Sequence, residues 1–64
     1  MSTNNLILVK EGSKYWKVTM IDAENGYKMG KTVKHSALRE AVEHAQRLLE
    51  DEWVEYGIHF QFKK

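Results

Sequence analysis

The sequence predicts an α+β domain: a small, mostly antiparallel sheet of three or four strands in the chain order β-β-β-α-β, with one helix packed on one face. Three observations carry this. The first half of the chain alternates apolar and polar side chains in short runs, the mark of half-buried strands. From Ser36 the apolar period becomes helical, with Leu38, Ala41, Val42, Ala45, Leu48 and Leu49 on one stripe. After Gly57 the alternation returns, Ile58, Phe60 and Phe62 against His59 and Gln61. At 64 residues the chain is expected to form a single domain, 1–64, whose core is necessarily small. Without cysteine, no disulfide or thiolate metal site can reinforce it.

Each element has a local reason. Residues 1–5 are polar after Met1 and are expected to form a flexible tail. Leu6-Ile7-Leu8-Val9 is short and β-branched at half its positions, and Lys10-Glu11-Gly12-Ser13 ends it in a turn. In Tyr15 to Ile21, Trp16, Val18 and Met20 point one way, and Tyr15, Lys17, Thr19 and Ile21 the other. Asn25-Gly26 signals a hairpin because both residues tolerate positive φ, and it predicts a third strand from Tyr27 to Lys34. A two-residue loop pairs Val18 with Val33 and Thr19 with Thr32, whereas a four-residue loop pairs Met20 with Met29. Both registers keep the same faces. Ser36 is the expected N-cap of the helix. Trp53 extends its stripe, and Gly57 suits the C′ position if the helix runs that far.

One helix must cover one face of the sheet. Its stripe is expected on Trp16, Val18, Met20, Met29, Val33, Ile58, Phe60 and Phe62. Trp16, Trp53, Phe60 and Phe62 are assigned to the core, with Trp53 the one that can instead stand out as an anchor for a partner. Tyr15 and Tyr56 are expected to be partly exposed. The other face is left uncovered and carries Tyr15, Lys17, Thr19, Ile21, Lys28, Gly30, Thr32 and Lys34, with His59 and Gln61 if the last strand joins. That strand either pairs in parallel with an earlier one or completes the sheet of a second copy.

Charge divides along the chain. Ten Lys and Arg face nine Asp and Glu, a net charge of +1. Residues 1–35 hold six lysines against Glu11, Asp22 and Glu24, a balance of +3; residues 36–64 hold four cations against six acids, a balance of −2. A basic sheet therefore backs onto an acidic helix. Glu50-Asp51-Glu52 opposes the dipole at the helix end, a mild cost that hints at a use for the cluster. No basic segment precedes an apolar run at the start, and the longest apolar run is Leu6 to Val9, so no signal peptide, no membrane partner and a cytoplasmic setting are expected.

Chemistry finds little support. His35, His44 and His59 lack HxxxH or HExxH spacing, so no metal is expected. Ser2, Ser13 and Ser36 sit in no nucleophile elbow, and Gly26 and Gly30 form no phosphate loop. One helix on a small sheet offers little volume for a substrate. The expectation is a non-enzymatic protein with no cofactor and no catalytic residue.

Two layouts resemble known families. Lys14-Tyr15-Trp16-Lys17-Val18, Asn25-Gly26-Tyr27-Lys28-Met29-Gly30 and the helix from Ala37 to Ala45 resemble integrase-arm DNA-binding domains. Those pack a three-stranded sheet on a helix and read DNA with the open sheet face. The resemblance implies contacts to phosphates and bases from Lys17, Thr19, Lys28, Thr32 and Lys34. The segment from Tyr15-Trp16 to Phe62, with Glu40, Glu43, Glu50 to Glu52 and Gly57, also resembles the small phage proteins that inhibit host RNA polymerase.

The first expectation for function is a small protein-interaction module, of the kind phages and mobile elements carry. It would act on another protein or a second copy of itself through a sheet edge or the acidic helix face, Glu40, Glu43, Glu50, Asp51, Glu52 and Trp53. The alternative is a nucleic-acid-binding domain using Tyr15, Lys17, Thr19, Lys28, Thr32 and Lys34 on the open sheet face.

Overall fold

A computed structural model describes residues 4–63. The chain forms β1 (Asn5–Glu11), β2 (Trp16–Asp22), β3 (Val33–His35), α1 (Leu38–Asp51) and β4 (Ile58–Gln61). This is the expected α+β order, with a four-stranded sheet arranged β3-β2-β1-β4. β1 pairs antiparallel with β2 and β2 antiparallel with β3. β4 lies parallel to β1, with Ile58 opposite Ile7 and Phe60 opposite Val9. The chain thus leaves one sheet edge at β3, crosses β2 and β1 as α1, and returns at the other edge as β4. The pairing of β4 inside its own sheet decides between the two alternatives left open for the last strand.

The helix covers one face only. Ile7, Val9, Val18 and Met20 meet Ala41 and Ala45 in a small buried core, and Trp16, Leu48, Val54 and Ile58 pack around it. The two alanines let the helix approach the central strands closely. Helical periodicity of 3.6 residues places Glu40, His44 and Asp51 on one flank, Leu38, Val42 and Leu49 on the other. A contact between His44 and His35 fixes the polar flank over β3. The apolar flank therefore faces β4.

Several boundaries differ from expectation for physical reasons. The third strand is Val33–His35, not Tyr27 to Lys34, because both anticipated registers coexist in one hairpin. Val18 pairs with Val33, yet the Met29 N–H donates to the Met20 carbonyl at 2.7 Å and Ile21 bridges Lys28. The two-residue shift is absorbed between them, where Gly30 takes φ +106°. The turn is a longer loop in which Asp22 Oδ1 accepts from the Glu24 and Asn25 N–H groups; only Gly26 of the Asn25-Gly26 pair has positive φ. Ser36 is not the N-cap: Ala37 holds that position without a side-chain bond, and the Ser36 hydroxyl donates to Glu40 Oε1.

The helix ends at Asp51 with the Glu52 N–H on the Leu48 carbonyl, so Trp53 lies beyond it and Gly57 is not its C′ residue. Gly57, at φ +73°, instead opens β4 and accepts the Ile7 N–H through its carbonyl. Of the four aromatics assigned to the core, only Trp16 packs there; Trp53 is 75% exposed, and Phe60 and Phe62 are half exposed at the sheet edge.

Asn4 and Asn5, expected in a flexible tail, are held; residues 1–3 of that segment lie outside the described residues. The Asn4 carbonyl accepts from Ala23 N–H. Asn5 is buried and clamps the link from helix to β4. Its Nδ2 donates to the Trp53 carbonyl at 2.9 Å, its Oδ1 accepts from Glu55 N–H at 3.0 Å, and its own carbonyl accepts from Tyr56 N–H. Removing the amide leaves two part-buried backbone groups without their partner, at a cost of up to about 1–3 kcal/mol each. Asn5→Ala is expected to lower stability by about 2–4 kcal/mol, read as a fall in the urea midpoint with an unchanged slope; a decrease below about 0.5 kcal/mol would show that the clamp is not needed.

Candidate nucleic-acid interface

The face that α1 leaves bare is built by strand alternation. Because Ile7 and Val9 point to the helix, Leu6, Leu8 and Lys10 point away. Registers then fix the cross-strand rows. Lys34 stands opposite Lys17, Lys17 opposite Lys10, and Lys10 opposite Gln61. Three neighbouring strands thus place three lysines in one row. The next row is Thr19, Leu8 and His59, and the third pairs Leu6 with Ile21, with Lys28 opposite Ile21. The face has a lysine row, a second cation at Lys28 and an apolar strip of Leu6, Leu8 and Ile21 between them.

Tyr15 organises the row. The Gly12 N–H donates to the Tyr15 carbonyl at 2.8 Å and closes the β1–β2 turn. The Tyr15 ring lies so close to Gly12 that a Cβ there would come within 2.9 Å of it. Held this way, the ring receives the Lys34 Nζ at 4.7 Å and the Lys17 Nζ at 5.4 Å from its centroid. Each cation–π contact is worth about 0.5–1 kcal/mol at an exposed site. That offsets part of the repulsion between like charges directly opposite on a sheet, which costs about 0.2–1 kcal/mol.

Of the six residues anticipated on this face, Tyr15, Lys17, Lys28, Thr32 and Lys34 lie on its surface or half-buried within it. Thr19 is different. It is 6% exposed and its hydroxyl donates to the Thr32 hydroxyl at 3.0 Å, so these two form part of the floor rather than a base-reading pair. Lys10 was missed. It joins the row because β1 is an inner strand, and the pattern Leu6-Leu8-Lys10 carries that signal once the strand's inward side is known.

The acidic set does not form one face. By helical spacing Glu40 and Asp51 lie on the β3 flank, Glu43 and Glu50 point outward, and Glu52 has left the helix. Trp53 stands exposed beyond them while its carbonyl is held by Asn5.

A second polar cluster went unpredicted. Register puts His35 opposite Trp16 on the helix side, and His44 approaches it from α1, with His35 Nε2 2.9 Å from His44 Nδ1. They border an open groove of about 470 Å³ with Val33, Glu40, Glu43 and Arg47. Among the described residues no three His, Cys, Asp or Glu side chains gather to hold a metal ion. Nor is any described helix long and apolar enough to cross a membrane. Comparison with protein-family models, curated proteins and solved structures gives no match to this chain.

Burial lowers the His44 pKa below 6.5, assisted by the nearby His35 and Arg47. The unfolded chain therefore binds this proton more readily than the folded one. Stability is complete above pH 6.5 and is expected to fall as the pH drops toward the lowered value. Urea midpoints at pH 7.5 and pH 5 read this directly, and His44→Gln is expected to flatten the difference; an equal decline in that variant would sink the assignment.

Proposed function

We propose that this protein is a non-enzymatic nucleic-acid-binding module that lays the uncovered face of its sheet on a phosphate backbone. One observation carries the reading: Lys10, Lys17 and Lys34 stand in a single cross-strand row, the last two against the Tyr15 ring, on the face that no other described helix or strand covers. A small fold tolerates three opposed cations more readily if an anion meets them. The chemistry favours backbone contact over base reading. Lysine is a compact charge without the planar fork that arginine offers to guanine, and both arginines, Arg39 and Arg47, are on the helix. The threonine pair is turned to structural use. Binding should therefore tolerate sequence and depend steeply on salt.

Anisotropy titrations with a labelled duplex and a labelled single strand at several salt concentrations test this. The affinity is expected to fall as salt rises. Lys17→Ala with Lys34→Ala is expected to reduce the slope of log K on log salt for the duplex by roughly 0.9 for each phosphate that the variant no longer neutralises. No binding at low salt, or a slope untouched by the double substitution, overturns the reading.

A second reading, a protein-docking module, is favoured by Trp53, which stands 75% exposed beside Glu50, Asp51 and Glu52 on a backbone fixed by Asn5. A held aromatic next to acids suits a basic protein partner. Trp53→Ala is expected to abolish such an association while leaving nucleic-acid affinity unchanged. If the substitution instead weakens nucleic-acid binding, the two surfaces are not separate.

A further inference from the structure

The two edges of the sheet are unlike. β3 is three residues long, carries Lys34 and follows a register shift, devices that blunt an edge against pairing. β4 is also short, at four residues, but it carries no charged side chain and no register shift. From Ile58 to Phe62 there is no proline and no Asp, Glu, Lys or Arg. On the helix side of this edge Phe60 is 46% and Phe62 60% exposed, their rings stacked at 6.0 Å with 5° between planes. The apolar flank of α1 looks onto them, with Leu38 and Leu49 also partly bare. Strand edge, phenyl pair and helix flank are three apolar features on one side of the molecule, beside backbone groups of β4 that no described strand pairs.

We propose that this edge pairs antiparallel with the same edge of a second copy, joining two sheets into one of eight strands. Charge selects the occupant. In a two-fold interface residue i meets j and j meets i, so a patch of one sign of charge repels its own copy, whereas a neutral apolar edge does not. The open sheet face is basic and the outward side of the helix carries Glu43 and Glu50, whereas the β4 flank is neutral. A two-fold at Phe60 sets Ile58 against the second copy's Phe62 and His59 against its Gln61, with no like charges opposed.

The geometry fits as well. α1 lies over β1 and β2, so with strands about 4.8 Å apart the two helices of the pair stand about 19 Å apart. Helices about 10 Å across leave a trench about 9 Å wide, which two copies of Phe60 and Phe62 fill. A stable dimer buries about 800 Å² per partner, roughly one sixth of the 4880 Å² this chain exposes. With six buried apolar residues in its core, the single chain gains much from the added burial. This pairing is independent of the nucleic-acid reading, and it leaves both lysine rows on the same side of the joined sheet.

Sedimentation velocity from micromolar to millimolar concentration tests the proposal, with circular dichroism to confirm that each variant is folded. The wild type is expected to move from 7.5 kDa to twice that mass. Phe60→Lys and Phe62→Lys, at half-exposed positions, the Phe62 ring edge-on to Trp16 at 5.9 Å, are each expected to weaken association by about 30-fold or more, the effect of removing a hot-spot side chain. If either variant unfolds, amide exchange of the wild type decides: β4 amides must gain protection as concentration rises, while β3 amides do not. A wild type that stays monomeric at 1 mM overturns the proposal, as does a dimer that folded Phe60→Lys and Phe62→Lys leave intact.

Discussion

The fold depends on where the last strand is put, and the Asn5 amide puts it there. Four strands and one helix of this size offer few apolar contacts, and β4 meets its sheet on one side only. What fixes its parallel register is a set of directed hydrogen bonds to the link before it. Asn5 serves that link with both ends of its amide and with its backbone carbonyl. Because the side chain is buried and the bonds are part-buried, water competes with them less than at an open surface. The hydrophobic core sets that the chain collapses; this clamp sets which edge the end of the chain joins.

From that placement the two surfaces follow. With β4 beside β1, β1 becomes an inner strand, and its outward residues bring Leu6, Leu8 and Lys10 to the uncovered face. The helix crosses β2 and β1 and cannot reach over both edges. It therefore leaves a basic sheet face bare on one side, and the phenyl groups of β4 half bare on the other. One helix over four strands produces both surfaces together. The His35–His44 pair bridges α1 and β3 at the remaining edge and borders the open groove there.

Much of this was legible in the sequence. Strand and helix periods gave the element order, and alternation placed Lys17, Lys28 and Lys34 on one face whichever hairpin register held. Local pattern says nothing of long-range pairing, however. Neither the inner position of β1 nor the role of Asn5 can be read from residues near them, so Lys10 was missed and Asn5 was placed in a tail. The aromatics failed for a related reason. Phe60 and Phe62 alternate as core residues do, and only the width of the sheet relative to one helix leaves them uncovered. The acidic residues looked like one face because they are close in sequence, whereas a 100° step per residue scatters them around the helix.

The pairing of β1 with β4 also bears on how the chain acquires its structure. Ile7 and Ile58 are partners 51 positions apart, nearly the whole chain, so the closing contact comes late and carries a large loop entropy. The β1–β2 hairpin can form early from local contacts and offers the helix Ile7, Val9, Val18 and Met20, but the sheet is not complete until β4 returns to β1. During synthesis β1 must wait for β4. A nascent chain of this protein leaves the β4-facing edge of β1 unpaired until β4 has been made, and its folding resembles the fastening of a clasp more than the growth of a layer.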